Sequence, residues 1–89
     1  MIVEFDKSFE KSLDKIRNKL LFQKIKKVII QSEKAGSISE LSNIKKLTGY
    51  KTYYRIRICE YRIGIDKISD NTVRFIIVAH RKDIYNLFP

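Results

Sequence analysis

The 89-residue chain has one cysteine, one proline, one histidine and three glycines. With Cys59 alone, no disulfide forms within the chain and no cysteine pair is present to hold a metal, so a reducing compartment, the cytoplasm, is the expected setting. No Pro/Gly-rich linker, internal repeat or low-complexity tract divides the sequence. The longest apolar run, Phe75 to Ala79, is far too short to span a bilayer, and Glu4 and Asp6 interrupt an amino-terminal segment that does not read as a signal peptide. There is no glycine-rich phosphate loop, no His–Cys metal spacing, no serine in a nucleophile motif and no evident inward pair of carboxylates. Phosphate-loop, metal-site and serine-nucleophile chemistries therefore lack their parts, and neither cofactor nor metal is expected.

What the chain does have is positive charge. Nineteen Lys and Arg against ten Asp and Glu give a net +9 and a pI near 9.8, the balance of a protein that meets polyanions. Nucleic acid is the first candidate partner, with an acidic protein or a membrane surface behind it. A hydrophobic content of 44%, with five Tyr and five Phe, is enough to pack a core and argues against disorder. The length fits one domain spanning residues 1–89.

The pattern predicts an α+β fold: an N-terminal strand and a helical hairpin packed on a mostly antiparallel sheet. Met1 to Phe5 reads as a short strand, followed by Asp6 as a helix N-cap. Phe9, Leu13, Ile16 and Leu20 recur at helical spacing, and Leu21, Ile25, Val28 and Ile29 continue it beyond a break at Asn18. Lys24, Lys26, Lys27 and Lys34 occupy the other sides of the second helix, for which Gly36 is the expected left-handed stop. Residues 37–50, anchored by Leu41, Ile44 and Leu47, read as an irregular connection or a short helix. From Tyr53 the period changes to two, and three strands follow: Tyr53 to Ile58, Tyr61 to Ile68 and Thr72 to His80. Asp70-Asn71 is good turn chemistry; Cys59-Glu60 is not. Residues 81–88 form a last helical turn.

A two-residue loop at Cys59-Glu60 pairs Ile58 with Tyr61, Ile56 with Ile63 and Tyr54 with Ile65 on one apolar face. The opposite face then carries Arg57 directly across from Arg62, with Arg55 opposite Gly64. Like charges across strands cost about a few tenths of a kcal/mol, which favours an anion over the cluster. A solvated, arginine-rich outer face has the same period, and periodicity does not separate the two. Arginine's planar fork suits phosphate oxygens but does not act as a general base. A proton carrier must come from elsewhere, and the segment His80-Arg81-Lys82-Asp83-Ile84-Tyr85 gathers a histidine, two cations and a tyrosine at a strand end. Tyr85 follows Arg81 by four residues, one turn along a helix. Tyr50, Tyr53 and Tyr54 suit base stacking or packing equally.

The run from Leu47 to Ile58 (LTGYKTYYRIRI), the strand Tyr61-Arg62-Ile63-Gly64-Ile65, the closing His80 to Tyr85, and the opening Phe5-Asp6-Lys7-Ser8-Phe9 before a lysine-rich helical pair together resemble the RelE/ParE toxin superfamily. The resemblance covers nearly the whole chain. It implies a toxin neutralised by a cognate antitoxin in a complex that can be higher-order. In the RelE branch it implies a metal-independent endoribonuclease acting on messenger RNA in the ribosomal A site, where the RNA's own 2′-hydroxyl attacks the adjacent phosphate. Residue by residue, it matches Arg55, Arg57, Arg62 and Arg81, cast as phosphate-neutralising groups, and Tyr85. Together with the reading of the residues themselves, Tyr85 or His80 is the expected proton-handling group, and Lys51, Tyr53 and Lys82 are expected as further RNA contacts. Two departures stand out: arginine occupies Arg55 and Arg57 where relatives often carry lysine, and Cys59-Glu60 replaces the usual Gly-Asp turn. The ParE branch, which poisons DNA gyrase, shares the fold, and a non-catalytic basic RNA-binding module is the reading from a third class.

Overall fold

The computed structural model describes residues 1–89. Strand β1 (Ile2–Phe5) leads into helix α1 (Lys7–Asp14), started by Asp6, whose carboxylate accepts from the Ser8 amide at 3.1 Å. The helix stops at Asp14, short of the expected stripe. Ile16 is buried in the connection, whereas Leu20 belongs to α2 (Lys19–Lys34) and is 59% exposed. The break falls where Asn18 caps α2, its side-chain oxygen taking the Leu21 amide at 3.1 Å. Each helix rests on the sheet, α1 against β5 and α2 against β1 and β3. Leu21 and Ile25 of α2 are buried, and its four named lysines stay in solvent.

Gly36 is not the left-handed stop that sequence suggests. The helix ends at Lys34, and Ala35 turns out in an extended conformation, φ −70° and ψ 145°. The ammonium of Met1 donates to the carbonyls of Ser32, Glu33 and Ala35 at 3.1, 2.9 and 2.6 Å. A cation on the terminal carbonyls satisfies the groups a Schellman-type turn would otherwise close.

A 3-10 turn at Ile38–Glu40 precedes β2 (Ile44–Lys46), a strand where sequence reading expected an irregular or helical connection. It pairs antiparallel with β3 (Tyr53–Ile58), which pairs with β4 (Tyr61–Ser69), which pairs with β5 (Thr72–His80). The sheet order is β1-β5-β4-β3-β2, and only β1 with β5 is parallel. The β3–β4 register is the expected one, with Arg57 opposite Arg62 and Arg55 opposite Gly64.

β1 ends opposite Phe75, so the outer edge of β5 would be bare beyond that point. Between Gly64 and Ile65 the ladder skips Ile76, and α1 takes over the edge that β1 leaves. The Asp6 amide donates to Phe75 O at 2.9 Å, the Ser8 hydroxyl to Ile76 O, and the Val78 amide donates to Ser12 Oγ at 3.1 Å. Helix hydroxyls thus cover strand groups that an exposed edge would offer to another chain.

The two faces of the sheet differ. Toward the helices, Ile56, Ile58, Ile63, Ile65, Val73, Phe75 and Val78 close on Phe9, Leu21 and Ile25 in the main core. On the other face a smaller cluster of Leu47, Ala79, Ile84 and Phe88 forms where the C-terminal segment, including α3 (Ile84–Leu87), folds back. Phe88 is 3% exposed, and a Cβ placed on Gly64 would lie 2.6 Å from its ring. Glycine therefore lets the ring sit against the backbone of β4, and this contact carries Tyr85 to the open sheet face. No helix is long and apolar enough to cross a membrane.

Candidate active site on the open sheet face

Period-two alternation sends Arg55, Arg57 and Arg62 to the face away from the helices, because their neighbours Ile56, Ile58 and Ile63 enter the main core. The cross-strand rows read Lys45–Arg55–Gly64–Ile77 and, one pleat on, Arg57–Arg62–Ala79. Apolar side chains close the β5 end of each row, and cations fill the β2–β3 side.

Arg62 is at the centre electrostatically. Burial lowers its pKa most, followed by the charges of Arg55, Arg57 and Arg81, while Tyr85 raises it. Arginine stays charged at physiological pH, so the depression reflects first the partial withdrawal of the guanidinium from water and then its cationic neighbours. Its Nη1 donates to Cys59 O and Tyr61 O, both at 2.9 Å. Arg81 closes the same turn: its amide donates to Glu60 O at 2.8 Å, and its Nε lies 2.8 Å from Glu60 Oε2. The Cys59-Glu60 hairpin forms despite its unfavourable sequence, with Cys59 in the left-handed region at φ 52° and the Lys24 ammonium 3.1 Å from its sulfur.

Tyr85, 63% exposed, shares a cleft of about 330 Å³ with Arg55, Lys45, Tyr50 and Phe88. Lys45 was not legible as a site residue, since its position opposite Arg55 depends on β2. The rest of the expected set divides. Tyr53 is half-buried between the rings of Tyr50 and Phe88, at 5.5 and 5.3 Å, as a packing residue beneath the cleft. Lys51 and Lys82 are exposed and make no ion pair, Lys51 after β2 and Lys82 after β5.

The structure does not bring His80 to the arginines. It pairs with Tyr61, which packs on the helix-side core, and the two rings meet edge-on at 5.5 Å. Its Nδ1 accepts the Lys82 amide at 3.1 Å, which places the proton of the neutral ring on Nε2. Of the two proton carriers expected from sequence, only Tyr85 lies with the arginines.

Four guanidinium groups and a phenol share one face of this small α+β sheet, a donor set whose chemistry suits phosphate oxygens. No family profile matches the chain. Toxin RelE3 of Methanocaldococcus jannaschii is 41% identical over 90 residues, covering 100% of both chains. Among solved structures, the RelB–RelE antitoxin–toxin complex of Methanococcus jannaschii matches with a TM-score of 0.81 and 38% identity, over 97% of this chain and 99% of the other. The Escherichia coli DinJ–YafQ complex matches with a TM-score of 0.64 at 12% identity, over 93% and 96% of the two chains, a likeness of fold alone. The chain belongs to the RelE family of toxins.

Proposed function

We propose that this toxin is an endoribonuclease that cuts messenger RNA in the ribosomal A site, needs no metal, and is held inactive by a cognate antitoxin. The observation that carries the reading is the gathering of Arg55, Arg57, Arg81 and Tyr85 around Arg62 on the sheet face away from α1 and α2, where burial and then those cations lower the Arg62 pKa. Crowded guanidinium groups repel one another, and a phosphate placed among them removes the repulsion. The antitoxin partner is supported by the RelB–RelE complex, whose toxin chain matches this one over nearly its full length.

In the proposed reaction the RNA's 2′-hydroxyl attacks the adjacent phosphorus. The O2′–P bond forms as the P–O5′ bond breaks, leaving a 2′,3′-cyclic phosphate and a 5′-hydroxyl. The 2′-hydroxyl loses its proton and O5′ gains one. Negative charge grows on the non-bridging oxygens of the phosphorane, and donors already oriented toward them lower the barrier. Arg62 and Arg81 fill that role, Arg55 and Arg57 hold the flanking backbone, and Tyr85 orients the 2′-hydroxyl. His80, on the other face, takes no part.

The test is to add the protein to a translation extract, map RNA ends, and measure gyrase supercoiling in parallel. Cuts within ribosome-bound messenger RNA that bear 5′-hydroxyl ends support the reading. Intact RNA with inhibited supercoiling would assign the chain to gyrase poisoning, and RNA binding without cuts to a binding module.

A further inference from the structure

We infer that the Cys59-Glu60 turn is a clamp that fixes the orientation of Arg62 and Arg81, with Glu60 as a positioning residue; the inference rests on reading the open face as a ribonuclease site. Each guanidinium is held from one side. Arg62 Nη1 is committed to Cys59 O and Tyr61 O, which leaves its Nε–Nη2 edge without a protein partner. Arg81 is held through Nε, 2.8 Å from Glu60 Oε2, which leaves its two terminal nitrogens. Both remaining edges are two-pronged donors of the kind that match two phosphate oxygens. One turn thus presents two forks whose other nitrogens are already engaged.

The Glu60 contact is suited to orientation more than to stability. Both partners are largely exposed, 57% for Arg81 and 61% for Glu60, and exposed ion pairs add little to folding. The backbone bond from the Arg81 amide to Glu60 O joins turn and strand end and survives any side-chain change at Glu60. Removing the carboxylate therefore releases the Arg81 guanidinium to its many rotamers while the hairpin stays closed. The carboxylate also places a negative charge beside Arg81, one of the cations that crowd Arg62. Glu60 acts through Arg81 and does not itself touch the substrate.

A double-variant cycle tests the clamp. Single-turnover cleavage of ribosome-bound messenger RNA is measured for Glu60→Ala, Glu60→Gln, Arg81→Ala and Glu60→Ala/Arg81→Ala, with thermal melts beside the kinetics. Misorientation of a reacting group costs up to about a hundredfold, so Glu60→Ala is expected to slow the step by roughly ten- to a hundredfold, with half-saturation and melting unchanged. Glu60→Gln, which keeps an acceptor oxygen, recovers part of the loss. The double variant is no slower than Arg81→Ala alone, because nothing is left to orient. A wild-type rate in Glu60→Ala beside a slow Arg81→Ala overturns the clamp and leaves the site reading standing, as do losses that multiply in the double variant. A wild-type rate in Arg81→Ala overturns the site reading, and the clamp with it.

Discussion

Gly64→Ala is expected to loosen the C-terminal segment and lower both stability and activity. The added Cβ would lie 2.6 Å from two carbons of the Phe88 ring and 2.8 Å from a third. Carbon atoms settle about 3.5–4.0 Å apart, so the ring must retreat by roughly an ångström. Phe88 has little room to do so, being buried with Leu47, Ala79 and Ile84 and held edge-on by Tyr53 at 5.3 Å. Forcing volume into such a site costs about 1–3 kcal/mol. Replacing a strand glycine otherwise gains about 0.5–1 kcal/mol, which leaves a net loss of about 0–2.5 kcal/mol, centred on about 1 kcal/mol. For a domain this size about 1 kcal/mol corresponds to about 4–8 °C, so the melting temperature should fall by roughly 4–8 °C. Cleavage should fall as well, because the displaced segment carries Tyr85. Phe88→Leu in the same chain removes the ring and should make Gly64→Ala far less costly than it is alone. A Gly64→Ala protein that melts at or above the wild-type temperature would refute the packing argument.

Cys59→Gly relieves a left-handed residue, a conformation that costs an L-amino acid about 1–2 kcal/mol, and should raise the melting temperature. The same thermal scan checks it, and an unchanged or lower value contradicts it. The pKa of Asp6 is lowered by the hydroxyl and then the amide of Ser8. Its contribution to stability is therefore fully present above the ordinary carboxylate value of 3.8 and is lost as pH falls through the depressed folded value. Urea midpoints below about pH 4 should drop less steeply for Asp6→Asn than for wild type. Finally, His80→Gln should cleave at the wild-type rate with an unchanged pH profile, since the ring lies on the helix side of the sheet; a shifted profile would return the histidine to the mechanism.

The β3–β4 hairpin was legible because its apolar and basic residues alternate without interruption and its loop is two residues long, which together fix register and face. β2 was not: Ile44-Lys45-Lys46 is too short to show a period, and it is a strand because β3 has an edge to pair with. Lys45 was hidden for the same reason. The face of His80 follows from its pairing with Tyr61, but the β4–β5 ladder contains two irregularities, at Ile68 and Ile76, that cancel before His80 is reached. Counting from the Asp70-Asn71 turn gives the right partner because the two bulges offset each other; either one alone would shift the partner of Tyr61 by one residue. The first helix was read too long because the connection after Asp14 keeps helical spacing as far as Leu20, while Asn18 marked the true start of α2. The Gly36 stop failed through a contact between distant parts of the chain, the Met1 ammonium on the end of α2.

The most direct test of the proposed chemistry is the single-turnover rate on ribosome-bound messenger RNA for wild type, Arg62→Ala and Tyr85→Phe, with melting curves for each. Loss of one oriented donor typically costs about a hundredfold or more in rate, so Arg62→Ala should fall by at least that much and Tyr85→Phe should be strongly slowed with RNA binding intact. Neither should melt far from wild type. Wild-type rates in both variants, or a loss of activity that tracks a loss of folding, would contradict the account.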